Sequence, residues 1–203
     1  MKLYYTKGTC SFAPHIAMRE LGIEPELVAV NLMEKKLGDG ADYKAHNPKG
    51  YVPYVEMEDG TGLSECGVII QYLADRHPEK GLIAAAGTPE RYKTMDWLSF
   101  IGSELHKNLP PIFLPGIPDD YREIARNRLG VRLSYMNDEL EGKDYLLGDT
   151  FSAADCYAAA ILNWTKPAKV DLSAYPNVAA YHERCCARDS VKAAHAAEEA
   201  AAA

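Results

Sequence analysis

The chain has 203 residues, of which 47% are apolar and 25% charged, a balance typical of a globular protein with one large or two small domains. Its net charge of −7 disfavours nucleic acid as a partner, and no apolar stretch approaches the length of a membrane span. Five cysteines without a C-x-x-C pair argue against a disulfide framework or a zinc cluster, and with no secretory signal expected they predict reduced thiols and a cytoplasmic location.

The first eighty or so residues predict a small mixed sheet flanked by helices. Apolar and β-branched runs predict four short strands, at residues 2–5, 26–31, 53–57 and 62–64. A helix is predicted at 11–21, between the first two strands, and another from Glu65 to about Arg76. The pair Asp59-Gly60 predicts a hairpin between the last two strands. The pattern is therefore β-α-β followed by β-β-α.

The rest of the chain is predicted to be almost wholly helical. Prolines and glycines at 77–89 indicate a linker, so we expect a first domain at 1–79, a linker at 80–87 and a helical domain at 88–203. Helices are predicted at residues 91–109, 119–140, 152–166, 177–188 and in a short C-terminal segment, with a break at Pro110-Pro111. The alanine-rich tail Ala193–Ala203 is predicted to fray. Ser152 and Asp155 fit a capping box, for which we predict a structural role.

Cys10 is the first candidate functional residue, because it lies where a predicted strand ends and a helix begins. Unpaired N–H groups and the macrodipole at a helix start stabilise an anion, which favours the thiolate of a cysteine placed there. Pro14 fits the first turn of that helix. The alternative is a small buried core cysteine.

Two further features lie in the same region. Val52-Pro53 is extended chain before a strand, and a cis bond there would turn the Val52 backbone groups towards an extended peptide ligand. Glu65 at a helix start offers an anion for an amine beside N–H donors for a carboxylate, which together fit an amino-acid head group. The alternative for Glu65 is an interaction with the helix dipole alone.

As a set, these residues resemble the glutathione S-transferases, and more narrowly the bacterial beta class of that family. The resemblance extends over the whole chain and depends on Tyr5, Cys10, Lys35, Asn47-Pro48-Lys49-Gly50-Tyr51-Val52-Pro53, Ser64-Glu65, Glu104-Leu105-His106-Lys107 and the box at Ser152 and Asp155. It implies an α/β thioredoxin-like N-terminal domain that binds glutathione, followed by an all-α helical domain with an electrophile pocket. It also implies a homodimer.

The resemblance implies a role for each matching residue. Cys10 would meet the glutathione sulfur, with His106 as the second catalytic residue, and Lys35 would pair with the glycyl carboxylate. The Val52 backbone would bind the cysteinyl unit, while Glu65 and the N–H of Cys66 would hold the γ-glutamyl end. Further glutathione contacts are implied at Ser99, Ser103, Glu104 and Leu105, and Pro53 has a structural role. Two positions depart from the family pattern, since Cys66 replaces a small residue and Ser99 replaces an asparagine.

The leading hypothesis is an enzyme that conjugates the thiol of reduced glutathione to a small apolar electrophile, with glutathione as co-substrate and no metal or other cofactor. A second is a reductase of mixed disulfides, limited to a monothiol route because no second cysteine follows Cys10 at C-x-x-C spacing. A third is a non-catalytic ligand-binding protein on the same fold. Cys156, Cys185 and Cys186 are interpreted as interior helix thiols. The electrophile, and a choice between detoxification, aromatic catabolism and redox defence, stay open.

Overall fold

The computed structural model describes residues 1–201. It separates into two compact units, one formed by Met1–Ile83 with the chain from Arg188 onwards, the other by Ala84–Ala187. The first is a mixed sheet with helices and the second is helical, which confirms the predicted fold class. The division differs from the predicted one in the last helix, which the sequence pattern assigned to the helical domain and which clusters with the first unit instead.

The first unit is built on a five-stranded sheet with the order β3-β2-β1-β4-β5. The strands are β1 (Lys2–Tyr5), β2 (Glu26–Asn31), β3 (Lys36–Leu37), β4 (Tyr54–Glu56) and β5 (Gly62–Ser64). β1 and β2 are parallel, with Leu3 opposite Leu27, and the other neighbours are antiparallel. The parallel pair requires a crossover, which a helix supplies. The sequence pattern missed β3, because two residues are too few to show a period.

The described chain contains eight α-helices, α1 (Phe12–Leu21), α2 (Cys66–Asp75), α3 (Pro89–Phe100), α4 (Pro110–Phe113), α5 (Asp119–Glu139), α6 (Ala153–Leu162), α7 (Pro176–Cys186) and α8 (Asp189–Ala201). The crossover helix α1 ends at Gly22, which adopts a left-handed conformation with φ of 78°. The next N–H, that of Ile23, donates to the Met18 carbonyl at 2.8 Å and closes the helix end.

Helix α8 packs against α1, so the prediction of a fraying tail is wrong for the described part of that segment. Alanine is the best helix former, and α8 buries Val191, Ala194 and Glu198. The Glu198 carboxylate meets His15 Nδ1 at 2.9 Å, and Arg19 Nε donates to His15 Nε2 at 3.3 Å. Because Nε2 accepts from Arg19, the hydrogen bond to Glu198 is donated from Nδ1. Residues 202 and 203 lie outside the described chain.

The second unit contains α3 to α7. α3 continues into a wider π-helical turn, Ile101–Leu105, before the chain reaches the predicted break. Beyond it, Pro110 and Pro111 start the short helix α4, in which a proline at the first position loses no hydrogen bond. π-helical turns are rare in proteins, and those that occur are often found at functional sites. This turn contains three of the predicted glutathione contacts, Ser103, Glu104 and Leu105.

The capping box at α6 is confirmed. Asp155 is fully buried and accepts from the Ser152 N–H at 2.8 Å and the Ser152 hydroxyl at 2.6 Å. The Leu146 N–H at 3.0 Å and the Tyr181 hydroxyl at 2.8 Å complete its shell. Burial raises the pKa of Asp155, while these hydrogen bonds act in the opposite direction. The box therefore ties the start of α6 to the loop before it and to α7.

Of the remaining cysteines, Cys156 and Cys185 are interior helix residues of the second unit, as predicted, whereas Cys186 at the end of α7 is partly exposed, so the prediction is wrong for Cys186. Cys156 and Cys185 are fully buried, and Cys186 Sγ lies 3.4 Å from His182 Nε2. Burial raises the pKa of Cys186 and lowers that of His182, so both are neutral at pH 7. Residues 1–201 contain no group of three or more histidine, cysteine or acidic side chains arranged for a metal ion. Within the same range, none of the helices combines the length and apolarity needed to cross a bilayer.

Candidate active site

Cys10 lies in the loop that joins β1 to α1. The Thr9 and Ser11 hydroxyls both reach the Thr6 carbonyl, at 2.7 Å and 3.2 Å, and fix the shape of this loop. Cys10 stands two residues before the first residue of α1, and its side chain is partly exposed. The thiol is therefore at the predicted junction of strand and helix, and the alternative of a fully buried core cysteine is wrong.

The bond between Val52 and Pro53 is cis, as predicted. Cys10 Sγ donates to the Val52 carbonyl oxygen at 3.4 Å, so the thiol and the backbone before the proline are in contact. The Val52 side chain belongs to a buried apolar cluster with Tyr4, Val30 and Tyr43. Val52 is thus anchored through its side chain while its backbone borders the thiol.

The loop that leads to Val52 is held by two donors on one carbonyl. The Tyr51 carbonyl oxygen accepts from the Tyr43 hydroxyl at 3.0 Å and from Asn47 Nδ2 at 2.8 Å. Burial raises the pKa of Tyr43 to about 12, so this hydroxyl keeps its proton at neutral pH. Gly50 has a φ of 69°, a left-handed conformation that favours glycine at this turn. The sequence marked Asn47 as part of a motif, but its role as a loop support depends on a contact that the motif does not reveal.

Glu65 immediately precedes α2 and has a φ of 76°, which is uncommon for a residue with a side chain. Its Oε1 accepts from Lys49 Nζ at 2.7 Å and from the Tyr51 hydroxyl at 3.0 Å. The hydrogen bond to Glu65 raises the pKa of Lys49. About half of each side chain in this ion pair is exposed, 48% for Lys49 and 53% for Glu65. Lys49 and Tyr51 were not predicted as partners of Glu65.

Cys66 and Lys35 complete the candidate residues of the first unit. Cys66 is the first residue of α2, is only 4% exposed, and donates from Sγ to the Cys10 carbonyl oxygen at 3.4 Å. Lys35 is partly exposed with a φ of 58°, and its carbonyl accepts from the Tyr43 N–H at 2.9 Å. Lys35 is therefore tied to the same Tyr43 that supports the Val52 loop.

In the second unit, the candidate residues at the end of α3 and in the π-helical turn differ in exposure. Ser99 and Ser103 are exposed, and the Ser103 hydroxyl donates to the Ser99 carbonyl at 2.9 Å. Glu104 is partly exposed and accepts from Arg132 Nε at 2.6 Å. The Leu105 side chain is fully buried in the core, so the predicted glutathione contact is wrong for that side chain. The only sign of this burial in the sequence is that Leu105 is an apolar residue between the polar residues Glu104 and His106.

His106 is part of an aromatic cluster, which we define as His106, Phe113, Tyr157 and Trp164. His106 Nδ1 lies 2.7 Å from the Tyr157 hydroxyl. The His106 ring meets Trp164 edge to face with centroids 5.0 Å apart, and Phe113 meets the same Trp164 ring at 6.2 Å. Phe113 and Trp164 remain partly exposed, so the cluster offers an accessible aromatic surface. The sequence singled out only His106 of these four residues, because their meeting depends on contacts between separate helical segments.

The first unit is a thioredoxin-like domain by its topology, its thiol before α1 and its cis proline before β4. Two domain families match the sequence: the glutathione S-transferase N-terminal domain at residues 9–81 and the glutathione S-transferase C-terminal domain at residues 100–189. The chain therefore belongs to the glutathione S-transferase family, which confirms the predicted family and the prediction of an enzyme.

Similar proteins agree with this assignment. "Glutathione S-transferase GstA" of Escherichia coli O157:H7 is 42% identical over 198 residues, which cover 98% of each chain. A structure described as "Ternary complex of BphK, a bacterial GST" matches with a TM-score of 0.96 and 45% identity, covering 98% of this chain and 100% of that one. A sphingomonad glutathione S-transferase complexed with glutathione matches with a TM-score of 0.93 and 39% identity, covering 98% and 99%.

Proposed function

We propose that the first unit binds reduced glutathione with its sulfur at Cys10, and that the enzyme transfers this sulfur to a small apolar electrophile. The observation that carries the proposal is the contact between Cys10 Sγ and the Val52 carbonyl, 3.4 Å apart, beside the cis Val52–Pro53 bond. A thiol next to the backbone of a loop before a strand suits a ligand that is itself a cysteine-containing peptide.

Charge complementarity supports the orientation of the tripeptide. Glutathione has an ammonium and a carboxylate at its γ-glutamyl end and a second carboxylate at its glycyl end. Glu65 and the backbone N–H of Cys66 would receive the γ-glutamyl end, and Lys35 the glycyl carboxylate. The Val52 backbone would pair with the cysteinyl unit between them. In this orientation the glutathione sulfur points to Cys10.

The reaction needs a thiolate and a positioned electrophile. N–H groups at the start of α1 stabilise the glutathione thiolate next to Cys10. The thiolate attacks an electrophilic carbon, a carbon–sulfur bond forms, and the leaving group departs with the electron pair of its former bond. In the second unit, the partly exposed rings of Phe113 and Trp164 provide an aromatic surface for an apolar electrophile, and His106 lies in the same aromatic cluster.

Conjugation of glutathione to a chloronitrobenzene substrate tests the activity, and two neighbouring lysines test the orientation. In Lys35→Ala the KM for glutathione should rise about tenfold, because a charge-assisted contact to the carboxylate is lost. Lys36→Ala is the matched control, since Lys36 is exposed in β3 and has no role in the proposed site. Equal KM values in the two variants would contradict the role of Lys35. A wild-type protein without glutathione-dependent product at any pH would contradict the transferase itself.

The same site supports assignment to the beta class, in which a cysteine meets the glutathione sulfur; a protein described as "Bacterial beta class Sphingomonas chungbukensis Glutathione S-transferase" is 41% identical. A homodimer is supported by an exposed apolar stripe on α5, formed by Tyr121, Ile124, Val131 and Tyr135. Light scattering on Val131→Glu, whose side chain is 61% exposed in the single chain, should give a smaller particle than the wild type. The cytoplasmic location and a part in detoxification stay predictions.

A further inference from the structure

Two cysteines that are far apart in sequence meet in the first unit. Cys10 precedes α1 and Cys66 begins α2, and 56 positions separate them. In the fold, Cys66 Sγ donates to the carbonyl oxygen of Cys10 at 3.4 Å. Both sulfurs therefore lie at the same end of the sheet, next to the Val52 loop that Cys10 Sγ also contacts.

The contact places the Cys66 sulfur beside the backbone of Cys10. From the lengths of the C=O and Cα–C bonds, a sulfur 3.4 Å from that oxygen lies within about 6 Å of the Cys10 Cα. To form a disulfide, the Cys10 side chain would turn from the Val52 carbonyl towards Cys66, and the sulfurs would approach to about 2 Å. The Cys10 side chain is partly exposed and has room for that rotation.

The surroundings of the two sulfurs suit different steps of thiol–disulfide exchange. Cys10 is partly exposed, so a disulfide from solution can reach it. Cys66 is only 4% exposed, so a bulky disulfide from solution cannot reach its sulfur. Burial does not prevent the Cys66 sulfur from attacking a disulfide at the neighbouring Cys10. The start of α2 provides N–H groups that stabilise a thiolate at Cys66, as the start of α1 does at Cys10.

We propose that Cys66 is a resolving thiol, which gives this site a two-cysteine redox activity towards glutathione disulfides. The proposal rests on the proposed binding of glutathione at Cys10. First, the Cys10 thiolate attacks the glutathione sulfur of a mixed disulfide between glutathione and another thiol, forms a Cys10–glutathione mixed disulfide and releases the other thiol as its thiolate. The Cys66 thiolate then attacks the Cys10 sulfur, a Cys10–Cys66 disulfide forms, and glutathione leaves as its thiolate.

Two glutathione molecules complete the cycle. One glutathione thiolate opens the Cys10–Cys66 disulfide to a mixed disulfide, and a second attacks that bond, so the protein is reduced and one glutathione disulfide is formed. The sequence predicted only a monothiol route, because the C-x-x-C motif describes a second cysteine close by along the chain. The fold brings the second cysteine from the start of another helix.

The test uses the wild type, Cys66→Ser and Cys186→Ser, each incubated with glutathione disulfide, quenched with N-ethylmaleimide and analysed by intact mass and peptide mapping. Cys186 is the matched control, a partly exposed cysteine of the second unit whose thiol contacts His182. The wild type and Cys186→Ser should contain a cross-linked Cys10–Cys66 peptide, with neither of these two cysteines carrying N-ethylmaleimide. Cys66→Ser should stop at the mixed disulfide on Cys10, heavier by one glutathionyl group.

A wild-type protein that keeps glutathione on Cys10, or leaves Cys10 unmodified, overturns the proposal. This result needs no variant, so a folding defect in Cys66→Ser does not affect it. Conjugation activity measured on the same wild-type sample separates the two proposals. Conjugation without a cross-link contradicts only the resolving role of Cys66, whereas no conjugation and no glutathione binding contradict the transferase.

Discussion

Helices α2 and α6 both begin near an acidic residue, but the two carboxylates have opposite surroundings. Asp155 at α6 is fully buried and accepts four hydrogen bonds from groups of the second unit. Glu65 at α2 is about half exposed, at 53%, and its partners Lys49 and Tyr51 are exposed as well. An acidic residue at the start of a helix therefore has a structural role in one case and is available to a ligand in the other.

The difference shows how burial separates a structural acid from a ligand-binding one. An acid whose acceptor positions are all satisfied inside the protein has nothing left to offer a ligand, and its removal leaves buried donors unpaired. An acid whose cationic partner is exposed can exchange that partner for the ammonium of a ligand at little cost. We therefore expect substitutions of the two acids to act on different properties, stability for one and affinity for the other.

The largest effect is expected for Asp155→Ala. The change leaves the Ser152 and Leu146 N–H groups and the Tyr181 hydroxyl without their acceptor, so the free energy of unfolding should fall by about 3 kcal/mol. Urea unfolding measures it. Asp171→Ala is the control, because Asp171 also caps a helical turn but is exposed. A loss as small as that of the control would contradict the structural role of the buried box.

A second buried acid, Glu198, extends the comparison to the first unit. Glu198→Ala removes the acceptor of the buried His15 N–H at 2.9 Å, and we expect the free energy of unfolding to fall by about 2 kcal/mol. The neighbouring Glu199→Ala removes an exposed ion pair with Lys7 and should change stability much less. Thermal unfolding of the two variants measures this difference. Equal decreases in Tm for Glu198→Ala and Glu199→Ala would contradict the view that burial makes Glu198 more important for stability.

Glu65→Gln should act on affinity and hardly on stability. Without its charge, residue 65 loses the attraction for the ammonium of glutathione, and Kd should rise about tenfold, or about 1.4 kcal/mol. Isothermal titration calorimetry measures this change. Glu58→Gln is the control, since Glu58 is an exposed acid of the β4–β5 hairpin. An unchanged Kd in Glu65→Gln, or a large decrease in the free energy of unfolding, would contradict a ligand-binding role and indicate that Glu65 is structural.

The smallest expected effect is on the pH dependence of stability and comes from the largely buried His182. Burial lowers the pKa of His182 below its usual 6.5, so the unfolded chain takes up this proton more readily than the folded one. Stability should therefore fall as the pH drops through about 6.5, by less than about 1.4 kcal/mol per pH unit from this residue. Urea unfolding of the wild type and His182→Gln at pH 7.5 and 5.5 isolates the contribution. Identical losses in both proteins would contradict it.

Features encoded by neighbouring residues could be predicted from the sequence. The β-α-β pattern, the Asp59-Gly60 hairpin and the capping box at α6 all depend on residues a few positions apart, and the structure contains each of them. The sequence also placed Cys10 and the Val52-Pro53 segment in the same first domain, but their direct contact at 3.4 Å became visible only in the structure.

Features that depend on distant contacts could not be predicted. The pairing of Lys49 and Tyr51 with Glu65 and the contact of Cys66 with Cys10 join residues from separate elements, and no local period encodes them. The docking of α8 was missed for a similar reason, since its burial of Glu198 becomes favourable only when His15 lies opposite. Composition alone made that segment look unanchored.

The docking of α8 on α1 also determines the order in which the protein can be completed during synthesis. The first unit is discontinuous in sequence, being formed by Met1–Ile83 and the chain from Arg188 onwards. On the ribosome, Phe12 and His15 emerge early, yet their partners His195 and Glu198 are translated only after the second unit, Ala84–Ala187. Helix α1, which follows the Cys10 loop, therefore stays partly uncovered in the nascent chain until the whole second unit has been made.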